Sequence, residues 1–383
     1  MKILILSCGT GGGHNSAALA IQENLLEKGI QADFVEYLDI ISRKVKDSIN
    51  HLYIHTTRGN GKVFKTVYRL GELYQKTKLK SPVYQLNYLN RKKLYQYILE
   101  NHYDYVVTTH LFAAQALTAV KKKHSIHFIA VATDYVCIPF WEETNPDYFI
   151  IPSEELTDDF FQKGIAKEKL LPLGIPVKKA YTEKKVDIYI KNNQNKNYEN
   201  NKKQNIKNKR YVLILTGSMG FGNIAQMLEE LLKHILDVSF IVACGNNKEL
   251  LENLKKAYAE NEYVIPLAFT NEIDRYMKQS EVILTKPGGL TTTEIAVLGK
   301  PFIHTMPIPG CENYNANFFS QRGMSLQSHS IEEVVKNTKR LLEDKKLQEE
   351  MVQNQYRYMH QDTCDKITEL ILTEFERINN SKI

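Results

Sequence analysis

The sequence predicts an α/β protein made of two doubly wound domains in tandem. Three observations carry that expectation. Short aliphatic runs alternate with helical stretches along both halves, a glycine-rich turn follows the first such run in each half, and 383 residues exceed the roughly 250–300 at which one hydrophobic core stops growing. Alternation of this kind calls for parallel sheets covered by helices on both faces.

The first half opens as strand, turn, helix. Lys2–Ser7 is a short aliphatic run, Gly9–Gly13 is a flexible turn, and Asn15–Lys28 puts Ala18, Ile21, Leu25 and Leu26 at helical spacing before Gly29 stops it. Further strands are expected at Ala32–Tyr37, Asp104–Thr109, His127–Ala132 and Tyr148–Ile151, with room for crossover helices between them. Strand–glycine-turn–helix restarts at Tyr211–Gly217, and the second half continues with strands at Ser239–Ala243, Tyr263–Pro266, Val282–Thr285 and Pro301–His304. Between the halves, asparagines and lysines fill Lys191–Lys209 with almost nothing apolar, which reads as a loop or linker. The expected organisation is a first domain over 1–182, a linker over 183–209, a second domain over 210–360, and a C-terminal helical stretch over 361–383 that can pack back on the first.

Composition narrows the class. With 43% hydrophobic and 25% charged residues the chain is neither disordered nor fibrous, and a net charge of +6 falls short of a dedicated nucleic-acid binder. No apolar stretch approaches the ~20 residues of a membrane span, and the opening strand leads into glycines rather than a signal-peptide cleavage site, so the cytosol is the expected compartment. The cysteines, Cys8, Cys137, Cys244, Cys311 and Cys364, are scattered without CxxC spacing, which implies neither a disulfide framework nor a zinc site.

One segment departs from the average. Arg43, Lys44, Lys46, Arg58, Lys62, Lys65, Arg69, Lys76, Lys78, Lys80, Arg91, Lys92 and Lys93 meet only Asp47 and Glu72 as acidic company, with Tyr53, Tyr68, Tyr74, Tyr84, Tyr88, Tyr95 and Tyr97 interleaved. Solvated helix faces with packing tyrosines are one reading; contact with an anionic membrane is the other.

Three loops can carry chemistry. Gly9-Thr10-Gly11-Gly12-Gly13-His14 sits at the carboxyl end of the first strand and opens a helix, a place suited to anionic or polar ligands. It is neither a P-loop nor a clean GxGxxG, because His14 stands where the third glycine would be; an imidazole there can titrate near neutral pH. Thr216-Gly217-Ser218-Met219-Gly220-Phe221-Gly222 repeats the turn in the second half. The densest signal is Thr285-Lys286-Pro287-Gly288-Gly289-Leu290-Thr291-Thr292-Thr293-Glu294, followed by Pro307-Ile308-Pro309-Gly310-Cys311-Glu312-Asn313-Tyr314-Asn315-Ala316-Asn317. Gly288 and Gly289 leave room for a pyrophosphate against the N–H groups of a helix start, and Glu294 is spaced to accept from ribose hydroxyls, so this stretch reads as a nucleoside diphosphate site.

The stretch from Lys286 to Asn317 resembles the donor-binding signature of monogalactosyldiacylglycerol synthases and processive diacylglycerol glucosyltransferases. Gly11-Gly12-Gly13-His14 with Ser16-Ala17-Ala18, Thr133-Asp134, and Asp147-Tyr148-Phe149-Ile150-Ile151-Pro152-Ser153-Glu154 resemble other parts of that family. The resemblance covers nearly the whole chain except the asparagine tract, which is a departure from the family's compact pattern. It implies a GT-B fold, two Rossmann-like domains facing an interdomain cleft, with a UDP-sugar held mainly by the second and a lipid acceptor, such as diacylglycerol, by the first. It further implies inversion at the anomeric carbon and no bound metal or other cofactor. The implied donor set is Gly217, Ser218, Met219, Lys286, Pro287, Gly288, Gly289, Thr291, Glu294, Asn313 and Asn317, with Gly12, Gly13 and His110 toward the acceptor.

Inversion needs a base that takes the proton from the attacking hydroxyl. His14 and Asp134 are the candidates, with His14, or His14 paired with Asp134, preferred; Asp134 as a helix N-cap and His110 as a structural residue are the bland alternatives. The expected partners are a UDP-sugar, a lipid acceptor and an anionic membrane surface, with no nucleic acid; the expected place is the inner face of the cell membrane, held peripherally. Two rival functions remain open at this point: a UDP-N-acetylglucosamine transferase acting on a polyprenyl-linked peptidoglycan precursor, and a non-catalytic UDP-sugar-sensing protein at the membrane surface.

Overall fold

The structure is a computed structural model that describes residues 1–9, 12–41, 71, 74–75, 79–183, 210–217, 224–307 and 310–380. The chain divides into two compact units, one of Met1–Lys179 with Ile308–Asn315 and His360–Ile383, the other of Ala180–Pro307 with Ala316–Met359. Each holds one six-stranded sheet whose neighbouring strands all run parallel.

In the first unit the strands are β1 (Lys2–Ser7), β2 (Gln31–Glu36), β3 (Tyr105–Thr108), β4 (Phe128–Val131), β5 (Tyr148–Ile150) and β6 (Leu170–Leu171), in spatial order β2-β1-β3-β4-β5-β6. In the second they are β7 (Arg210–Leu215), β8 (Val238–Ala243), β9 (Val264–Leu267), β10 (Val282–Thr285), β11 (Phe302–Thr305) and β12 (Leu326–Ser328), in order β12-β11-β10-β7-β8-β9. The continuous aliphatic runs become central strands because both faces of a parallel sheet are covered by helices: Ile3 to Leu6 are buried without a break, as are Tyr211 to Leu215. Every strand expected from an apolar run forms, with ends shifted by a residue or two. The two additional strands, β6 and β12, are too short to show any periodicity, and they form at the sheet edges.

The order in which strands are added reverses between β1 and β3 in the first sheet and between β7 and β10 in the second. At such a switch point the connections leave in opposite directions and open a crevice at the carboxyl ends of the strands. The glycine loops after β1, β7 and β10 therefore all begin at switch points, which the strand order explains and the motifs alone do not.

The first unit is closed by a helix from far along the chain. Thr363–Asn380 lays Ile367, Ile371 and Ile378 into the cluster formed by Ile3, Ile5, Ala18, Ile21, Val107 and Ile129. Polar ties fix its register: Thr368 donates to Asn24 at 2.7 Å, Asn24 donates to Asp365 at 3.1 Å, Lys28 pairs with Asp365 at 2.6 Å, and Thr363 donates to the Leu173 carbonyl at 2.7 Å. The second unit has its own core, built on Val212, Ile214, Phe240, Val242, Val282, Leu284 and Ile303.

A buried polar chain also threads the first unit. Tyr37 donates to Asn87 at 3.1 Å, Asn87 to Gln115 at 2.8 Å, and Gln115 to Glu143 at 2.7 Å. The Glu143 carboxylate further accepts from the Ser81 N–H and hydroxyl at 2.5 and 2.6 Å. All five residues are buried, so each hydrogen bond replaces water the groups have lost.

Of the basic and aromatic segment, Arg43, Lys44, Lys46, Tyr53, Arg58, Lys62, Lys65, Tyr68, Arg69, Lys76 and Lys78 lie outside the described residues, as does the Lys191–Lys209 tract. The rest belongs mostly to the Pro82–Glu100 helix and is engaged locally: Lys93 donates to the Ile41 carbonyl at 3.0 Å, the Arg91 guanidinium lies 3.9 Å from the Tyr88 ring centre, and Tyr95 stacks on His124.

Candidate active site

In the first unit β1 ends beside a helix that starts at Gly13, two residues earlier than the sequence suggests, so His14 falls in its first turn. Gly12 caps that helix at φ 76°, a left-handed conformation that a side chain would strain. The His14 Nδ1 stands 3.0 Å from the Thr109 carbonyl oxygen and 2.8 Å from the Thr133 hydroxyl. A carbonyl can only accept, so Nδ1 carries the proton and Nε2 keeps the lone pair of a base. Thr109 also donates its hydroxyl back to the His14 carbonyl at 3.0 Å, which makes the tie reciprocal.

Burial lowers the His14 pKa, opposed by the Asp134 charge and by the Thr109 hydrogen bond. The imidazole is thus neutral near pH 7, the form a base needs. Asp134 follows β4 in a bend with no helix beginning there, so it caps none; its Oδ1 accepts from the Asn315 side chain at 2.9 Å. His110 is the N-cap of the Leu111–Lys121 helix, its Nδ1 accepting from the Phe112 N–H at 3.2 Å, and its ring meets His14 edge-on at 4.7 Å. Burial, with His14 beside it, holds the His110 pKa well below the usual histidine value. Gly12, Gly13, His14, His110 and Asp134 therefore gather at one switch point.

In the second unit the loop after β10 runs Lys286, Pro287, Gly288 and then into the Gly289–Leu298 helix, with Gly288 as N-cap and no side chain closing the cap. The first-turn N–H groups of such a helix start and its dipole suit an anion. Gly217, at φ +77°, lies two residues beyond the neighbouring strand β7, and a side-chain carbon built on it would stand 2.8 Å from Lys286 Cε. The absence of a side chain at Gly217 is what lets the Lys286 chain lie across it. Thr291 is half-buried and Glu294 is buried on the same helix. Thr292 of that helix meets His304 Nε2 at 3.2 Å, and Ser325 meets the same ring at Nδ1, also at 3.2 Å. Full burial drives the His304 pKa down to about 3, so this ring is a neutral anchor.

Ser218 and Met219 lie outside the described residues. Asn313 and Asn317 are in the Cys311–Gln321 helix, Asn317 exposed and Asn313 half-buried. Four residues near the candidate set escape sequence reasoning in their contacts. Thr109 and Thr133 hold His14, Asn315 holds Asp134, and Tyr181, buried ahead of the asparagine tract, bonds the Glu294 carboxylate; burial first, then Glu294 and Asp274, raise its phenol well above the usual value.

Residues 14–177 match the model of the monogalactosyldiacylglycerol synthase family, and residues 211–367 match that of the glycosyltransferase family 28 C-terminal domain. A processive diacylglycerol beta-glucosyltransferase of Bacillus subtilis is 26% identical over 98% of this chain and 96% of its own. One of Bacillus cereus strain G9842 is 27% identical over 90% of this chain and 86% of its own. Among solved structures, MurG of Acinetobacter baumannii aligns over 97% of this chain and 99% of its own at TM-score 0.60 and 16% identity. A UDP-GlcNAc 2-epimerase of Neisseria meningitidis bound to UDP-GlcNAc aligns over 97% and 100% at TM-score 0.61 and 15% identity; both are likenesses of fold.

Two parallel-sheet units with these matches define a glycosyltransferase of the GT-B fold. Residues 14–177 are a monogalactosyldiacylglycerol synthase domain and residues 211–367 a glycosyltransferase family 28 C-terminal domain, in a chain similar over nearly its whole length to processive diacylglycerol glucosyltransferases, as its Lys286–Asn317 and glycine-histidine motifs suggest.

Proposed function

We propose that this enzyme inverts the anomeric centre of a UDP-hexose while transferring the sugar to the hydroxyl of a membrane lipid, with diacylglycerol the acceptor class its relatives' names point to. The observation that carries the base assignment is the Nδ1 of His14 tied to the Thr109 carbonyl, which leaves Nε2 unprotonated. In the reaction, the acceptor oxygen forms a bond to C1 as the bond from C1 to the UDP oxygen breaks. The acceptor proton passes to His14 Nε2, and UDP departs as the leaving group.

The first unit takes the acceptor through Gly12, Gly13 and His110. The second holds the donor, with Gly288, Gly289 and Lys286 at the diphosphate, Glu294 at the ribose, and Gly217, Ser218, Met219, Pro287, Thr291 and Asn317 around the rest; Asn313, which the family pattern also assigns to the donor, belongs to the first unit. Charge on the departing diphosphate is met by the open helix start and by Lys286, which gives the leaving group its stabilisation from groups of this chain. No resident metal is part of this mechanism, and turnover is expected to persist in EDTA.

No helix among the described residues is long and apolar enough to cross a membrane. The proposed location is peripheral, on the inner face of the cell membrane, with the cations between Arg43 and Lys93 attracting anionic lipid. The test is a matrix of UDP-glucose, UDP-galactose and UDP-N-acetylglucosamine against diacylglycerol and polyprenyl acceptors, in vesicles with and without phosphatidylglycerol, read by the mass of the lipid product. Product from a polyprenyl acceptor alone would overturn the acceptor reading, UDP-sugar binding without any product the catalytic one, and equal rates in both vesicle types the anionic-surface one.

Replacing Glu294 with Ala removes charged hydrogen bonds to the ribose hydroxyls, each contributing about 1.5–3 kcal/mol. UDP affinity measured by calorimetry is expected to fall roughly 10- to 100-fold. Unchanged affinity would remove Glu294 from the site.

A further inference from the structure

The side-chain amide of Asn315 is buried, and both its ends are committed within the first unit. Its Oδ1 accepts from the Tyr135 N–H at 2.7 Å and its Nδ2 donates to Asp134 Oδ1 at 2.9 Å. Because the N–H of Tyr135 can only donate, the amide has one allowed orientation, with its NH2 on the carboxylate. Asp134 in turn acts on His14 through its charge, and Thr109 and Thr133 hold the His14 Nδ1, the latter from the position next to Asp134.

We propose that Asn315 is a positioning residue of the transfer reaction: it fixes the Asp134 carboxylate so that its charge supports the basicity of His14. This goes beyond the family-derived expectation that Asn313 and Asn317 belong to the donor set, and it rests on the reading of His14 as base. Other titratable groups around the cluster are His110, at the head of the Leu111–Lys121 helix, and Glu312, one turn earlier on the helix of Asn315. Beyond them, Asp159 holds the Cys137 N–H at 2.7 Å and pairs with Lys163 at 3.4 Å.

Asn315→Asp separates this role from a merely structural one. The new Oδ1 can still accept from Tyr135, but the second oxygen now faces the Asp134 carboxylate, and two carboxylates at hydrogen-bond distance share a proton rather than both ionise. At pH 8 the variant is expected to lose at least tenfold in kcat/KM. Toward pH 6 its deficit against the parent enzyme narrows, because a shared proton restores the hydrogen bond, while UDP affinity by calorimetry stays at the parent value. A profile parallel to the parent's, or a loss located in UDP affinity, would overturn the proposal. Asn315→Leu, which cannot donate or accept, should lose activity without any recovery at low pH, and its melting temperature shows whether folding is intact. If His14→Ala keeps full activity, the base reading itself has failed; if it is inactive while Asn315→Asp follows the parent profile, only the role of Asn315 has failed.

Discussion

His14→Ala should retain UDP affinity and lose transfer by about 10²- to 10⁴-fold, the range that a positioned base contributes. The expectation follows from atoms rather than from the motif. With Nδ1 committed to the Thr109 carbonyl, Nε2 is the basic nitrogen, and burial lowers the pKa of the ring below its ordinary value. The sign of the pH dependence follows as well. The active form is the neutral ring, its pKa is shifted below the ordinary 6.5, and so the rate should be flat through neutrality and fall only as the pH drops through that lowered value. Because the diphosphate and ribose groups Lys286, Gly288, Gly289 and Glu294 belong to the second unit and His14 to the first, calorimetry with UDP should not distinguish the variant from its parent. Activity within tenfold of the parent would transfer the role of base to Asp134.

Glu143→Leu should destabilise the first unit by roughly 3–5 kcal/mol, among the largest effects a single substitution produces. The carboxylate accepts from the Ser81 N–H, the Ser81 hydroxyl and the Gln115 amide, all buried, and leucine would leave all three donors without an acceptor. Glu143→Gln keeps one acceptor oxygen and should lose less. The chain provides its own reporter, since its single tryptophan, Trp141, is buried two residues away in the first unit. Urea unfolding followed by tryptophan fluorescence therefore reads this unit separately, where a global signal from two units would not be two-state. An unchanged midpoint would mean that the polar chain from Tyr37 to Ser81 carries no net stability.

The parts of this molecule legible in its sequence are those whose signal is local. Strands such as Lys2–Ser7 and Val282–Thr285 are runs of aliphatic residues that only a doubly covered sheet can hide, and a run needs no partner to be seen. Helix starts at Gly12 and Gly288 are marked by their glycines. Contacts set by strand register leave no such mark. Thr109 and Thr133 reach His14 only because β1, β3 and β4 are ordered as they are, and the hydrogen bond from Asn315 to Asp134 spans 181 positions. Likewise, the meaning of Gly217 depends on a lysine from the loop after β10 lying over it. The buried chain through Asn87, Gln115 and Glu143 is hidden for a further reason. Gln115 stands inside an apolar run, Asn87 between Leu86 and Tyr88, and Glu143 beside Glu142 and Thr144, so their settings share no local pattern and nothing in them says that the three side chains meet.

The return of the Thr363–Asn380 helix to the first unit sets an order of events during synthesis. Residues Ile367, Ile371 and Ile378 complete a core whose other members, Ile3, Ile5 and Val107 among them, emerge from the ribosome far earlier. At about 5–20 residues per second, translation of the intervening second unit leaves that apolar surface waiting for roughly 10–40 s. The half made first is thus finished last, a nascent chain that chaperones must shield in the interval. A premature stop codon shortly before Thr363 would spare the second unit's Ala180–Pro307 and Ala316–Met359 segments and cripple the one at the opposite end of the message.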